Sequence, residues 1–540
     1  MDGRDTKHTV PGEYHEFISK CDKDRDATHR LVKQPNGQPR KTRKYHVISG
    51  MGPNHTLGVY NNNIDSVERA LMERYFLCAV DGTFKRPPKI EQDAFKSRAL
   101  TNFRDVIARN VGKSATVCSL YEVRDSYRGA KWRIYDRAIK SLLAKSLTRA
   151  DGNVQAFTKF EKQCLTKACR IINPRSTRYN IELGCYLKKN EKLYYKEINN
   201  AWGNRTDHTV IKGLNVVESA KVLRDKWNLF KDPVAVGLDA SKFDMHVSEE
   251  ALTYEHSFYN SVFKSKMLAR LLNMQLDNKG TAYCVDGRVK FRMRGTRCSG
   301  DLNTSLGNCL IMCGLIFAYV LERHITAELA NNGDDCVVIM ERDDLDRFMA
   351  GLSNWFLNYG FRMTVETPVH TFEQIEFCQS NPMWDGKSWK MVRNVVACMK
   401  KDSMCLQPIN NEKSLKKWLG AVGECGLALT AGIPIVRNMY KAMLRAGTRA
   451  TTKHKDVVFK TTSMMERLSR LDTTDWEPTN ESRASFYLAT GVTPNMQLEY
   501  ERYYDGLEIK TTLQPGGGDS VENHPIPLIE QAPVIFYKYE

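Results

Sequence analysis

Apolar residues recur at helical spacing over Ile64–Phe76 and again over Gln92–Val111, with Gly112 placed to stop the second helix. From Asp232 the chain turns core-like, and Pro233–Ser241 (PVAVGLDAS) reads as a buried strand ending at Asp239. Ser248 is set as an N-cap, with Glu249 and Glu250 complementing the first turn of a helix. Thr281–Gly295 predicts a hairpin around Asp286-Gly287, a type I′ turn signal. Period-two alternation then puts Arg288, Lys290, Arg292 and Arg294 on one face of its second strand. A helix is predicted from Asp301 through Leu321, followed by Glu328–Glu341 (ELANNGDDCVVIME), where two aspartates precede a β-branched run. Asp343–Tyr359 reads as a helix stopped by Gly360, FRMTVE as a strand, and FCQSNPMWDGKSWKMVR as a hairpin turning at Asp385-Gly386. Glu412–Leu429 and Val436–Ala446 are helical, and no internal repeat is visible. At 540 residues the chain is too long for one ordinary core, so several subdomains are expected.

Charge narrows the partners. Lys and Arg number 80 against 63 Asp and Glu, a net charge of +17. That balance favours a polyanion, nucleic acid or an anionic membrane surface, although a basic enzyme of another kind has the same total. The basic cluster at 39–46 (PRKTRKYH) reads as a solvated tail or as a nucleic-acid-binding arm. Lys159–Lys196 interleaves Lys and Arg with Tyr, a composition suited to phosphate contacts and base stacking but also to solvated strands. Lys167, Arg170, Arg175 and Arg178 are spaced irregularly for a helix face, so an extended, looped segment is expected there. The 15 cysteines include no C-x-x-C pair, which points to free thiols in a reducing compartment. The run Cys309–Leu321 is too short to cross a bilayer, and the N-terminus has no secretory pattern, so a soluble intracellular chain is expected.

Adjacent carboxylates repel, so Asp334 and Asp335 call for either a solvated turn or a cation. A second acidic cluster stands at DASKFD, where Asp239 closes a strand and Asp244 enters the next turn. Hard divalent cations take carboxylate oxygens, and a pair of them stabilises the attacking and leaving oxygens of phosphoryl transfer. Between the clusters lies GTRCSGDLNTSLGN, a loop feeding a helix on which Thr304 and Asn308 lie one above the other.

The ordered set D-x4-D, S-G-x3-T-x3-N and G-D-D resembles the palm of RNA-dependent RNA polymerases of positive-strand RNA viruses. The similarity is nearest to Tombusviridae-like plant viruses, through GTRCSGDLNTSLGN and PRSTRYNIELGCYLK. The resemblance extends in order from Asn61 to Ala446. It implies an α+β right hand of fingers, palm and thumb, with an antiparallel-sheet palm packed on helices. The divisions expected are a basic arm (1–50), fingers and fingertips (51–230), first palm part (231–262), fingers insertion (263–294), second palm part (295–398), thumb (399–513) and C-terminal tail (514–540).

The resemblance also implies roles. Asp239 and Asp334, assisted by Asp335, would ligate two Mg2+ ions, with Mn2+ as a substitute. Asp244, Ser299 and Asn308 would read the ribose 2′-OH of an incoming NTP, with Thr304 in support. Lys167 and Arg170, with Arg175 and Lys159 behind them, would grip the triphosphate, and Ile375–Ser380 would position the RNA 3′ end. Arg178, Arg288, Lys290, Arg292 and Arg294 are the remaining RNA-binding candidates. Many such polymerases carry a lysine after the post-GDD helix as general acid; here the strand offers Thr364 and Arg362, and that role stays unassigned. Expected partners are template and product RNA, NTPs and a viral membrane-anchoring replication protein, which readthrough or frameshift would fuse upstream as in the related viruses. Host membrane contact would then be indirect, in cytoplasmic membrane-associated replication complexes. The rival readings are a reverse transcriptase and a non-catalytic RNA-binding replicase component; no Walker A sequence supports an NTPase.

Overall fold

The structure, a computed structural model, describes residues 29–52, 57–80, 83–449, 451 and 471–511. Most of the expected basic arm and the whole of the tail 514–540 fall outside these residues. Eleven of its strands carry the account: β1 (His29–Pro35), β2 (Val154–Thr158), β3 (Ile171–Ile172), β4 (Pro233–Ala240), β5 (Asp277–Cys284), β6 (Gly287–Arg294), β7 (Ala327–Asn332), β8 (Asp335–Glu341), β9 (Met363–Val365), β10 (Ser380–Trp384) and β11 (Trp389–Arg393).

A four-stranded sheet in the order β7-β8-β4-β9 holds the acidic residues, and its three strand pairs are antiparallel. Both faces are buried, which is why its strands read as nearly continuous apolar runs. Val234, Val236, Leu238, Cys336, Val338 and Met340 enter the largest core, packed on the helices Arg98–Gly112, Glu249–Phe263 and Thr304–Glu322. Ala235, Val337 and Ile339 face a second core with the helices Val216–Trp227, Glu412–Thr430 and Val436–Ala446. By length and composition Thr304–Glu322 could cross a membrane, but 78% of its apolar window is buried inside the fold. Core packing accounts for its apolar character.

A five-stranded sheet, β1-β6-β5-β2-β3, forms the other layer. One face packs Leu31, Val289, Phe291 and Ala282 against the helix Ile64–Leu71 and the π-turn Met72–Phe76 that extends it.

Several expectations shift. The hairpin β5–β6 pairs Cys284 with Gly287, so its two-residue loop is Val285-Asp286 rather than Asp286-Gly287. The cause is tertiary: Asp286 is buried as the acceptor for Ile64 N–H at 3.2 Å and Arg40 Nε at 3.1 Å. Lys159–Lys196 is extended only in part. Two helices, Thr177–Leu187 and Glu191–Ala201, take up most of its second half. Ser176 caps the first, accepting from Tyr179 N–H at 3.1 Å; Tyr179, Leu183 and Leu187 are its buried anchors, and Tyr194 anchors the second. The central helix begins at Thr304, three residues later than expected, because Asp301 is taken by a buried ion pair with Arg175. Gly112 is the last residue of its helix, and Lys113 is the C-cap. In β10–β11 the turn spans 385–388, with Asp385 accepting from the N–H groups of Lys387 and Ser388 at 2.8 Å each.

Candidate active site

The turn between β7 and β8 is where the two aspartates stand. Asn332 pairs with Asp335, so the loop is Gly333-Asp334. Gly333 has φ +80° and Asp334 does not take positive φ, the pattern of a glycine-first two-residue turn matched to strand twist. Across the sheet Asp335 lies directly opposite Asp239, whose other neighbour is Thr364 of β9. Directly opposed residues of an antiparallel pair project from the same face. Two strands and one turn therefore bring Asp239, Asp334 and Asp335 to one end of the sheet.

Their electrostatics agree with that placement. Burial raises the Asp334 carboxyl, offset in part by Arg170 and Lys212. Asp335 is pushed up to about 6, first by burial and then by the charges of Asp334 and Asp239. Asp239 keeps solvent access, yet its surroundings and the Asp334 charge raise it too, against the pull of Lys167. Asp335 has one firm contact: its Oδ2 accepts from Cys378 N–H at 2.8 Å. Cys378 and Gln379 both take positive φ (52° and 59°), a sharp turn that aims this N–H from the Ile375–Ser380 segment.

Among the described residues no three Asp, Glu, His or Cys side chains are gathered as a preformed metal cluster. The donor set nevertheless suits a hard divalent cation. It is all carboxylate oxygen, none of the three acids is in an ion pair among the described residues, and their charges raise one another's pKa.

Beside the acids is a buried polar lattice. Asp244 is pushed up to about 6 by burial and by Asp334, and is held down by Arg297 and a hydrogen bond from Asn308. Asn308 Oδ1 accepts from Arg297 Nε at 2.9 Å, which leaves the amide nitrogen to face Asp244. Arg297, fully buried, also bonds Glu255, which accepts from Asn303 Nδ2 at 2.7 Å and Tyr259 Oη at 2.8 Å. A Cβ on Gly307 would sit 2.2 Å from Glu255 Oε1 and 2.5 Å from an Arg297 nitrogen, so the pair packs against bare helix backbone. Thr304 Oγ1 donates to Cys298 O at 3.0 Å and ties the loop to the helix, while Ser299 O accepts from Asn173 N–H at 2.7 Å.

The basic residues divide. Lys167 and Arg170 are exposed and act electrostatically on the acids. Lys159 is paired with Glu161 at 2.6 Å. Arg175 is a correction: it is fully buried, bonded to Asp301 and Asn278, and has no surface to offer a triphosphate. Arg178 is spent on Asp151 (2.9 Å), Ser141 and the carbonyls of Lys145 and Ser146. Arg292 pairs with Asp277 and Arg294 with Glu249, whereas Arg288 and Lys290 remain exposed. Arg362 acts electrostatically on Cys78 and His246.

Sequence reasoning missed Arg297, Cys378 and Lys212. The first lay inside a quoted motif as an unremarked position. Lys212 is brought near Asp334 because Thr209–Ile211 hydrogen-bonds along Asn331 of β7, a contact with no local sequence signal.

An acidic sheet end thus stands beside a buried amide–carboxylate pair, with Lys167, Arg170 and Lys212 within electrostatic reach. The family profile for viral RNA-dependent RNA polymerase matches residues 31–512, and the chain belongs to that family. It is 40% identical over 486 residues to an RNA-directed RNA polymerase of Tobacco necrosis virus (strain A), covering 88% of this chain and 65% of the relative. Relatives of the same description from Melon necrotic spot virus and Turnip crinkle virus are 39% and 37% identical over 94% and 89% of this chain. The chain spans 62–65% of the length of these three relatives.

Proposed function

We propose that the chain is an RNA-dependent RNA polymerase that extends an RNA 3′ end on an RNA template from NTPs. The observation that carries this is the opposition of Asp239 and Asp335 across β4–β8 with Asp334 in the adjoining turn. In the reaction the 3′ oxygen bonds to the α-phosphorus of an NTP while the α–β bridging bond breaks and pyrophosphate leaves. Asp239 and Asp334 would hold two Mg2+ ions, with Asp335 beside them. Such ions supply charge neutralisation at the attacking and leaving oxygens. Lys167 and Arg170 neutralise and orient the triphosphate, and Arg175 instead braces the loop through Asp301. Asp244 and Asn308 form a ribose-reading pair, with Thr304 and Ser299 shaping the loop around it. The segment Ile375–Ser380 orients Asp335 and borders the primer end.

Within this reading the β7-β8-β4-β9 sheet and its helices are palm, the five-stranded sheet belongs to the fingers, and the helices beyond Lys400 form the thumb. A membrane-anchoring viral protein would place the enzyme in cytoplasmic replication complexes.

The test is incorporation of labelled NTPs by the purified chain on an RNA template with Mg2+ or Mn2+. Product is expected, and it should vanish on chelation and in the Asp334→Asn/Asp335→Asn double variant, while RNA binding persists. Product formation by the double variant overturns the assignment.

A second expected result concerns the sugar. Asp244→Ala should cut the preference for rNTP over dNTP about tenfold or more, because a site built to bond a hydroxyl discriminates by what it leaves unpaired. Steady-state kcat/KM for UTP and dUTP reads this directly, and an unchanged ratio removes the role.

A further inference from the structure

The five-stranded sheet has one packed face and one open face, and the open face is chemically ordered. The β5–β6 register sets Tyr283 beside Arg288, and Thr281 beside Lys290. Continuing the β5–β2 register by one residue brings Phe157 alongside Tyr283. Tyr283 is 66% exposed and Phe157 42%, two large rings left in water, each one residue in from the end of its strand. Arg288, Lys290 and Lys279 stand exposed on the same side. Among the described residues none of the three cations is in an ion pair, whereas Arg292 and Arg294 are neutralised by Asp277 and Glu249.

We propose that this face is a platform for single-stranded RNA. Bases stack on Tyr283 and Phe157 while Arg288, Lys290 and Lys279 take the phosphates. Neighbouring strands lie about 4.8 Å apart, so a row across them offers a ring and a cation within one nucleotide's reach. Exposed rings on a sheet, bracketed by cations, bind single strands with little sequence preference. An anionic bilayer would also attract the cations. The rings, however, lie side by side on paired strands in one row with Arg288, and not on a loop tip that could enter the headgroups, which favours a strand of nucleic acid. Choosing RNA over other single strands rests on the proposed polymerase function.

The experiment is fluorescence anisotropy with a labelled single-stranded RNA of roughly 12 nucleotides, using the chain with Asp334→Asn/Asp335→Asn so that nothing is polymerised. Tyr283→Ala with Phe157→Ala should weaken binding by tenfold or more, and Tyr283→Phe should bind like the parent, since the ring is kept. Arg288→Ala with Lys290→Ala should lower the slope of log K against log salt by about 1 to 1.5, at about 0.7 per phosphate lost. Unchanged affinity in all variants overturns the platform, as does a Tyr283→Phe loss equal to that of Tyr283→Ala with Phe157→Ala. Variants that lose only their binding to phosphatidylserine vesicles would make the face a membrane surface and overturn it too. Absence of nucleotide incorporation by the unsubstituted chain would defeat the polymerase reading and leave these binding results standing.

Discussion

Asp334→Asn is expected to abolish nucleotide incorporation, by roughly 10^3-fold or more, about 4 kcal/mol of transition-state stabilisation, while Asp335→Asn is expected to retain measurable activity. The two residues are neighbours in sequence but not in environment. Asp335 begins β8, is fixed opposite Asp239, and uses one oxygen to accept from Cys378 N–H. An asparagine carbonyl accepts the same hydrogen bond, so the amide keeps the strand end and its turn in place. Asp334 sits in the two-residue loop, where the influences on its carboxyl are burial, its own backbone N–H and the charges of Arg170 and Lys212. Its contribution is charge, which an amide cannot replace. Single-turnover incorporation with each variant, at matched RNA occupancy, decides the point; equal losses would remove the asymmetry.

Arg297→Met should destabilise the fold by about 3–5 kcal/mol, the usual consequence of stranding one partner of a buried ion pair. Glu255 would keep Tyr259 and Asn303 as donors but lose its only buried countercharge in this lattice. Thermal unfolding followed by circular dichroism measures this, and a melting temperature unchanged from the parent refutes it. Arg297→Lys separates structure from function. Lysine retains the charge beside Glu255 but lacks the rigid fork that reaches Asn308 Oδ1 at the same time. The Asn308 amide is then free to flip, so rNTP over dNTP selectivity should fall even where stability is largely recovered. A purely structural role for Arg297 predicts no change in that ratio.

The acidic elements were readable because each is local. A glycine before two aspartates at the head of an apolar run makes a turn, and PVAVGLDAS makes a strand, whatever surrounds them. The Tyr179–Leu183–Leu187 spacing is equally present, but the density of Lys and Arg around it masks the apolar stripe, so composition alone points to an extended segment. Asp286 shows the opposite failure: its turn chemistry was sound, but a distant arginine and the start of a helix claimed the carboxylate and moved the loop by one residue. Arg175 has the composition of a phosphate ligand, and only its burial against Asp301 shows that it braces the loop instead.

The sequence by itself therefore determined the class of the chain, the α+β texture, and the identity and order of the three carboxylates, since these depend on residue type and short spacing. Tertiary structure decided which carboxylates face one another, which cations keep a free charge, and where Arg297 and Lys212 act. Those are settled by strand register and burial, which join residues tens to hundreds of positions apart and leave no periodic mark along the chain.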